Sequence, residues 1–238
     1  MNKVSVYTVF KRYPLNLLEQ CINGLNKQKI DEYVFLVYGG YNDLIGIKNI
    51  LNKCNFKVKF KHRPDIELFI DAIRYAVNIC SYNYILRADA EDILLFNAIK
   101  HMNIGKDIVI PNYIPIDIKG KCTDEVKGNV NNISSNCIIS KDLWYKVKFH
   151  NFQVCRDGLS IMRTIEQLGI NCTYIDKPLF MYRKNPGSLT NNTRTEHIVK
   201  WNERLINNMY NYNLESDEIV IDENSHYIIT NKRKIERG

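Results

Sequence analysis

Long apolar runs are missing from this chain of 238 residues. Nowhere does it reach the roughly 20 consecutive apolar residues that a membrane-crossing helix requires. The N-terminus passes straight into a strand-like stretch, Val4 to Phe10, so neither an anchor nor a leader peptide is expected. Stretches rich in Pro, Gly or Ser are also missing, which leaves no linker to divide the chain. The seven cysteines form no Cys-x-x-Cys pair and are scattered through apolar segments. That pattern argues against a disulfide framework and for buried thiols in a reducing, cytoplasmic setting. On this reading the Asn-x-Ser/Thr triplets at Asn132, Asn171 and Asn191 are products of an Asn-rich composition and carry no sugar.

An apolar share of 45% with 11% aromatic residues is enough to build a sizeable core, and the length suits one large α/β domain. The formal charge of +7 favours anionic partners, among them nucleotide diphosphates, nucleic acid and acidic membrane surfaces. Part of it has a structural origin. In Phe56 to Lys61 the apolar Phe56, Val58 and Phe60 alternate with lysines, the pattern of an edge strand buried on one face. Nucleic acid is not expected as a partner, because there is no zinc-ligand spacing, reader helix or basic-aromatic repeat.

The first half alternates strand and helix. Val4 to Phe10, Tyr33 to Tyr38, Phe56 to Lys61 and Tyr84 to Ala88 read as short apolar strands with helical segments between them, predicting a mostly parallel sheet. Pro14 can begin a helix running to about Gln28, and Asp65 can cap one whose Ile66, Phe69, Ile70, Ile73, Ala76 and Val77 recur at helical spacing. Further strands are expected at Asp107 to Pro111, Ile133 to Ile139 and Thr173 to Ile175. A helix is expected over Arg156 to Leu168, stopped by Gly169. The polar loop from about Ile118 to Asn132 and the segment from Asn185 to Asn192 have the composition of lids that close over a ligand. Beyond residue 190 a helical stripe from about Thr195 to Tyr210 and a hairpin pairing Glu218 to Ile221 with Tyr227 to Thr230 form an extension, 191–238, on the principal domain, 1–190.

The most informative stretch is Tyr84-Ile-Leu-Arg-Ala-Asp-Ala-Glu-Asp-Ile93, where an apolar strand runs directly into Asp89, Glu91 and Asp92. Two readings are open. Acids at the carboxyl end of a parallel strand sit where such sheets bind ligands, and hard oxygen donors suit Mg²⁺ or Mn²⁺ bridging a diphosphate. Alternatively Asp89 caps a following helix whose first turn carries Glu91 and Asp92, placed there by the helix dipole.

Here the chain resembles the family 2 glycosyltransferases. Arg87-Ala-Asp-Ala-Glu-Asp-Ile-Leu94 is similar to their Arg-x-Asp-Ala-Asp-Asp-Ile segment. Cys21-Ile-Asn-Gly-Leu25 through Gln28 resembles their Cys-(Ile/Leu)-x-Ser-(Ile/Leu)-x-x-Gln helix. Ser140-Lys-Asp-Leu-Trp144, Arg156-Asp157 and Tyr182-Arg-Lys-Asn-Pro-Gly-Ser-Leu-Thr190 match later motifs in order and spacing, so the resemblance covers about residues 3 to 190. It implies a GT-A type, Rossmann-like fold: a mostly parallel central sheet flanked by helices. It also implies a hexosyltransferase-like activity that moves a sugar from a nucleotide-diphosphate donor to a glycan, lipid or protein acceptor, with peripheral membrane contact left open.

The resemblance also assigns roles. Asp157 matches the family's base, which takes the acceptor proton; the residue-level alternative is an acid that only compensates a helix dipole. Asp89 and Glu91 would hold Mn²⁺ or Mg²⁺ and the donor diphosphate. Asn185, where the family carries His, would ligate through its amide oxygen, and Arg183 would bind a phosphate or serve as a surface ion-pair partner. Val37-Tyr-Gly-Gly-Tyr-Asn-Asp43 departs from the family's Val-Asp-Asp-Gly-Ser-x-Asp. The acids that hold base and ribose are thereby replaced by Tyr38, a candidate for stacking on the base or a plain strand residue, and by Gly39, which permits close backbone approach. This departure keeps a second possibility open, a catalytically silent nucleotide- or protein-binding module on the same fold. A nucleotidyltransferase would carry a Gly-rich basic loop after its first strand, and Lys11-Arg-Tyr-Pro14 has no glycine.

Overall fold

Alternation of apolar side chains at period two sorts each central strand onto two faces, and the amphipathic helices cover both. The computed structural model describes residues 2–41, 43–129, 135–147, 157–184, 217–221 and 227–231. Strands β1 (Val4–Phe10), β2 (Glu32–Tyr38), β3 (Val58–Arg63) and β4 (Tyr84–Arg87) alternate with helices α1 (Leu15–Leu25), α2 (Leu44–Leu51) and α3 (Phe69–Ile79). Then follow β5 (Ile93–Leu94), α4 (Ala98–Met102), β6 (Ile108–Ile116), β7 (Ile138–Ser140), α5 (Lys141–Trp144), α6 (Asp157–Leu168) and β8 (Thr173–Arg183). All eight strands join one sheet in the order β3-β2-β1-β4-β7-β6-β8-β5. β1 pairs in parallel with β2 and β4, β2 with β3, and β6 with β8; β7 and β5 run antiparallel to their neighbours. β9 (Asp217–Ile221) and β10 (Tyr227–Asn231) form the expected antiparallel hairpin.

In β1, Val4, Val6 and Phe10 face one core and Tyr7 and Val9 the other; in β2, Tyr33, Phe35 and Val37 oppose Val34, Leu36 and Tyr38. Leu18, Ile22 and Leu25 of α1, Ile47 of α2 and Ile99 of α4 close the first core. Ile73, Ala76 and Val77 of α3, Leu143 and Trp144 of α5, and Ile161 and Ile165 of α6 close the second. β3 is the sheet's edge, as the lysine alternation implied: Val58 and Phe60 pack on the first core while Lys59 reaches Glu32 at 3.1 Å.

Some boundaries differ from the sequence reading. Asp65 does not cap α3, which begins at Phe69 after Leu68; the Asp65 carboxylate is taken by Arg63 at 2.5 Å. β6 and β8 run well past their expected ends because each supplies the other's hydrogen bonds from Val109↔Thr173 to Ile116↔Arg183. The polar loop after β6 folds back as a strap along the same strand, through Tyr113↔Val126 and Ile116↔Cys122. The contact is close: a Cβ on Gly128 would lie 2.3 Å from the Pro111 carbonyl oxygen. The rest of that loop, residues 130–132, the segment Asn185 to Asn192 and the expected helix Thr195 to Tyr210 lie outside the described residues. No described helix is long and apolar enough to cross a membrane, and Cys21, Cys80 and Cys137 are buried free thiols.

Candidate active site

The chain runs outward from β1 through β2 to β3, then returns to lay β4 on the other side of β1. Ligand crevices of open α/β sheets form outside the carboxyl ends of the strands at such a reversal. What leaves β4 there is the acidic stretch, Asp89 to Asp92.

It is a turn and not a helix start. The Asp92 amide donates to the Asp89 carbonyl at 3.0 Å, and the chain then enters β5; the next helix, α4, begins only at Ala98 with Asn97 before it. The helix-cap explanation of the three acids is thereby removed, and with it the explanation that a helix dipole placed them. Buried donors from other elements hold the backbone of the turn instead. Thr8 Oγ1 on β1 donates to the Ala88 carbonyl at 2.6 Å and itself accepts from the Tyr33 hydroxyl at 2.9 Å. Cys21 Sγ on α1 lies 3.4 Å from the Asp89 carbonyl, and Arg183 Nε on β8 donates to the Glu91 carbonyl at 3.0 Å.

The three carboxylates then differ in setting. Asp89 stands at the mouth, its side chain 27% exposed, with one oxygen 3.0 Å from Arg87 Nε. Glu91 is buried. Asp92 is fully inside and accepts from the Arg183 amide at 3.0 Å, from Ser135 Oγ at 3.0 Å and from Asn136 Nδ2 at 2.8 Å. Burial first and the Asp89 charge second push the Asp92 carboxyl up. The Arg183 amide and Ser135 hydroxyl pull it down, and Glu91 adds to the rise. The same field reaches Tyr182, whose phenol is pushed up to about 12 by burial and then by Asp92, Asp89 and Glu91.

Among the described residues, no group of three or more His, Cys, Asp and Glu side chains could hold a metal ion. A Mg²⁺ or Mn²⁺ site does not require such a cage, because one or two carboxylates, phosphate oxygens and water commonly complete it. With Asp92 turned to internal donors, the partly exposed Asp89 and the neighbouring Glu91 are the carboxylates that could hold an ion of that kind.

Comparison with solved structures places this geometry among known sheets. The crystal structure of S. aureus TarS 1–349 in complex with UDP aligns with a TM-score of 0.54 at 17% identity, covering 77% of this chain and 61% of that one. TarS 1–349 aligns at 0.56 with 16% identity, covering 76% and 60%; a further TarS structure aligns at 0.58 with 16% identity, covering 89% and 40%. TarS is a family 2 glycosyltransferase of the GT-A fold. This chain has the GT-A fold. No protein-family model and no curated protein matches it. It spans about 60% of the shorter TarS structures and 40% of the longer one, and at this identity the likeness carries architecture and not activity.

Within the GT-A sheet the remaining candidates fall in unequal places. Arg183 is neither a surface ion-pair partner nor a free phosphate fork. It is 2% exposed, and besides Glu91 it donates from Nη1 to the Asp117 carbonyl at 3.0 Å and from Nη2 to Gln20 Oε1 at 2.6 Å. Three of the five N–H groups of its guanidinium are thus engaged within the protein. Tyr38 ends β2 with its ring buried against Phe69, and Lys11 Nζ stands 5.2 Å from the ring centroid. Gly39 holds φ +66°, and a Cβ there would meet Lys11 Cε at 3.0 Å. Asp157 opens α6, but its side chain lies outside the described residues, as does Asn185.

Sequence reasoning passed over Thr8, Gln20, Ser135 and Asn136, and met Cys21 only as the opening residue of the α1 motif, not as a partner of the turn. Thr8 left a signal, being with Ser5 one of two small polar residues in a largely apolar strand.

Proposed function

We propose that the chain is a glycosyltransferase that moves a sugar from a nucleotide-diphosphate donor to an acceptor hydroxyl, inverting the anomeric carbon and depending on a divalent cation. The observation that carries this reading is the acidic turn at the β1/β4 reversal. It gathers Asp89, Glu91 and Asp92 where no helix end accounts for them.

The acceptor oxygen attacks the anomeric carbon from the face opposite the diphosphate. The bond to the diphosphate oxygen breaks and takes the electron pair with it, while the acceptor proton passes to a base. Asp157, at the first position of α6, is the base in this proposal. Asp89 and Glu91, with Asn185, would hold Mn²⁺ or Mg²⁺, which when bound neutralises charge on the leaving diphosphate. Gly39 allows the donor close to the β2 backbone. The acceptor is a glycan, lipid or protein hydroxyl.

Donor hydrolysis with UDP-, GDP- and dTDP-sugars, with and without Mn²⁺, tests the proposal. Release of nucleoside diphosphate that needs the metal supports it. Metal-dependent nucleotide binding with no hydrolysis or transfer would instead identify a silent module. That second reading draws on Tyr38, whose ring is covered by Lys11 where the family places an acid.

A further inference from the structure

The backbone carbonyls of the acidic turn are held by side chains from three elements: Thr8 of β1, Cys21 of α1 and Arg183 of β8. Thr8 passes the connection to Tyr33 of β2, and Arg183 extends it to α1 and to the strap. Its Nη2 reaches Gln20 on α1, its Nη1 reaches the Asp117 carbonyl where the strap begins, and its amide binds Asp92 Oδ1. The next residue continues the tie, Lys184 N donating to the Ile116 carbonyl at 2.8 Å. All three side-chain acceptors are neutral oxygens, so the guanidinium is bound here as a shaped fork and not as half of an ion pair. A lysine ammonium at the same place would be a compact charge without the planar fork that spans three acceptors.

We propose that Arg183 is a positioning residue. It fixes the acidic turn against α1 and the strap and so sets where Asp89 and Glu91 present their oxygens, without contacting the donor. The link to metal and donor rests on the glycosyl-transfer reading; the mechanical role does not.

The test uses the full chain with Arg183→Lys and Gln20→Ala. Gln20 is exposed, so its variant keeps the fold and serves if the lysine variant does not. Amide hydrogen exchange at residues 89–92 and 117–121 should quicken about tenfold in Arg183→Lys, with a smaller change in Gln20→Ala and none at β2. Affinity for Mn²⁺ measured in the presence of a nucleoside diphosphate should fall about 10- to 100-fold in Arg183→Lys, the scale for residues that orient metal ligands. Raising Mn²⁺ should restore diphosphate binding, and nucleoside mono- and diphosphates should lose affinity by similar factors. Unchanged exchange at 89–92 in the lysine variant, or in Gln20→Ala if that is the variant that folds, overturns the inference. So does a loss confined to the diphosphate and indifferent to Mn²⁺, which would make Arg183 a phosphate ligand. If the wild-type chain binds neither Mn²⁺ nor nucleotide, the glycosyl-transfer reading fails, and the exchange measurement still decides the positioning role.

Discussion

Lys11 at the end of β1 covers Tyr38 at the end of β2: its ammonium stands 5.2 Å from the ring centroid and donates to the Glu67 carbonyl at 3.1 Å. Phe69 lies on the same ring at 6.4 Å between centroids, so Tyr38 is a core residue at the crevice wall. Its replacement should therefore act on stability first. Tyr38→Ala should cost about 3 to 5 kcal/mol, the range for removing a buried aromatic, measured by denaturant unfolding. A variant of normal stability that has lost nucleotide affinity would instead make the ring a base-stacking platform.

Asp89 is the carboxylate open to the crevice. Under the proposed function, Asp89→Ala removes a ligand; it also takes the carboxylate from Arg87, but the fold should survive because the turn is held through its carbonyls. Calorimetry should show that Mn²⁺ no longer strengthens nucleoside-diphosphate binding. Equal affinities for wild type and variant at matched Mn²⁺ would remove Asp89 from the site.

Asp157→Asn preserves size and removes basicity. If Asp157 accepts the acceptor proton, turnover should fall by about 10² to 10⁴-fold while metal-dependent donor affinity stays near normal. A residue that only starts α6 gives the opposite pattern, because Asn serves at a helix start almost as well as Asp. Near-normal transfer by the variant would exclude the base assignment and leave Asp92 as the next candidate.

At the other end of the sheet, Glu32 ties β1, β2, β3 and the approach to β4. It accepts from Ser5 Oγ at 2.5 Å, from the Ser81 amide and hydroxyl at 2.7 Å each, and from Lys59 at 3.1 Å. Burial pushes its carboxyl up, but the bonds from Ser5, Ser81 and Lys59 together outweigh it and hold the group down to about 2 from an unfolded value of 4.5. A depressed folded value means that the unfolded chain binds more protons in this window. The stabilisation is complete above the unfolded value and is lost as pH falls through about 2. Glu32→Gln should thus be less stable than wild type at neutral pH, with the gap closing in acid. A gap independent of pH would mean that the charge of Glu32 contributes nothing.

Much of this protein was legible in its residues because the signals are local. The short apolar runs Val4 to Phe10 and Tyr33 to Tyr38, helical spacing from Phe69 to Val77 and the lysines of Val58 to Lys61 decided which segments are strand or helix, and which strand forms the edge. The acids after β4 stood out for the same reason: contiguous like charges at a strand end are visible without a partner. What those acids are was not legible, because a helix cap and a ligand site share one local pattern. Only the tertiary structure decided between them, by sending the chain from Asp92 into β5, which pairs with β8 about ninety residues later in the chain. The role of Arg183 was hidden for a related reason. Its three acceptors come from Gln20, Glu91 and Asp117, far apart in sequence, and a guanidinium built to grip phosphate grips convergent carbonyls equally well. The residues present fix which groups are able to bind; the folded sheet fixes which partners they meet.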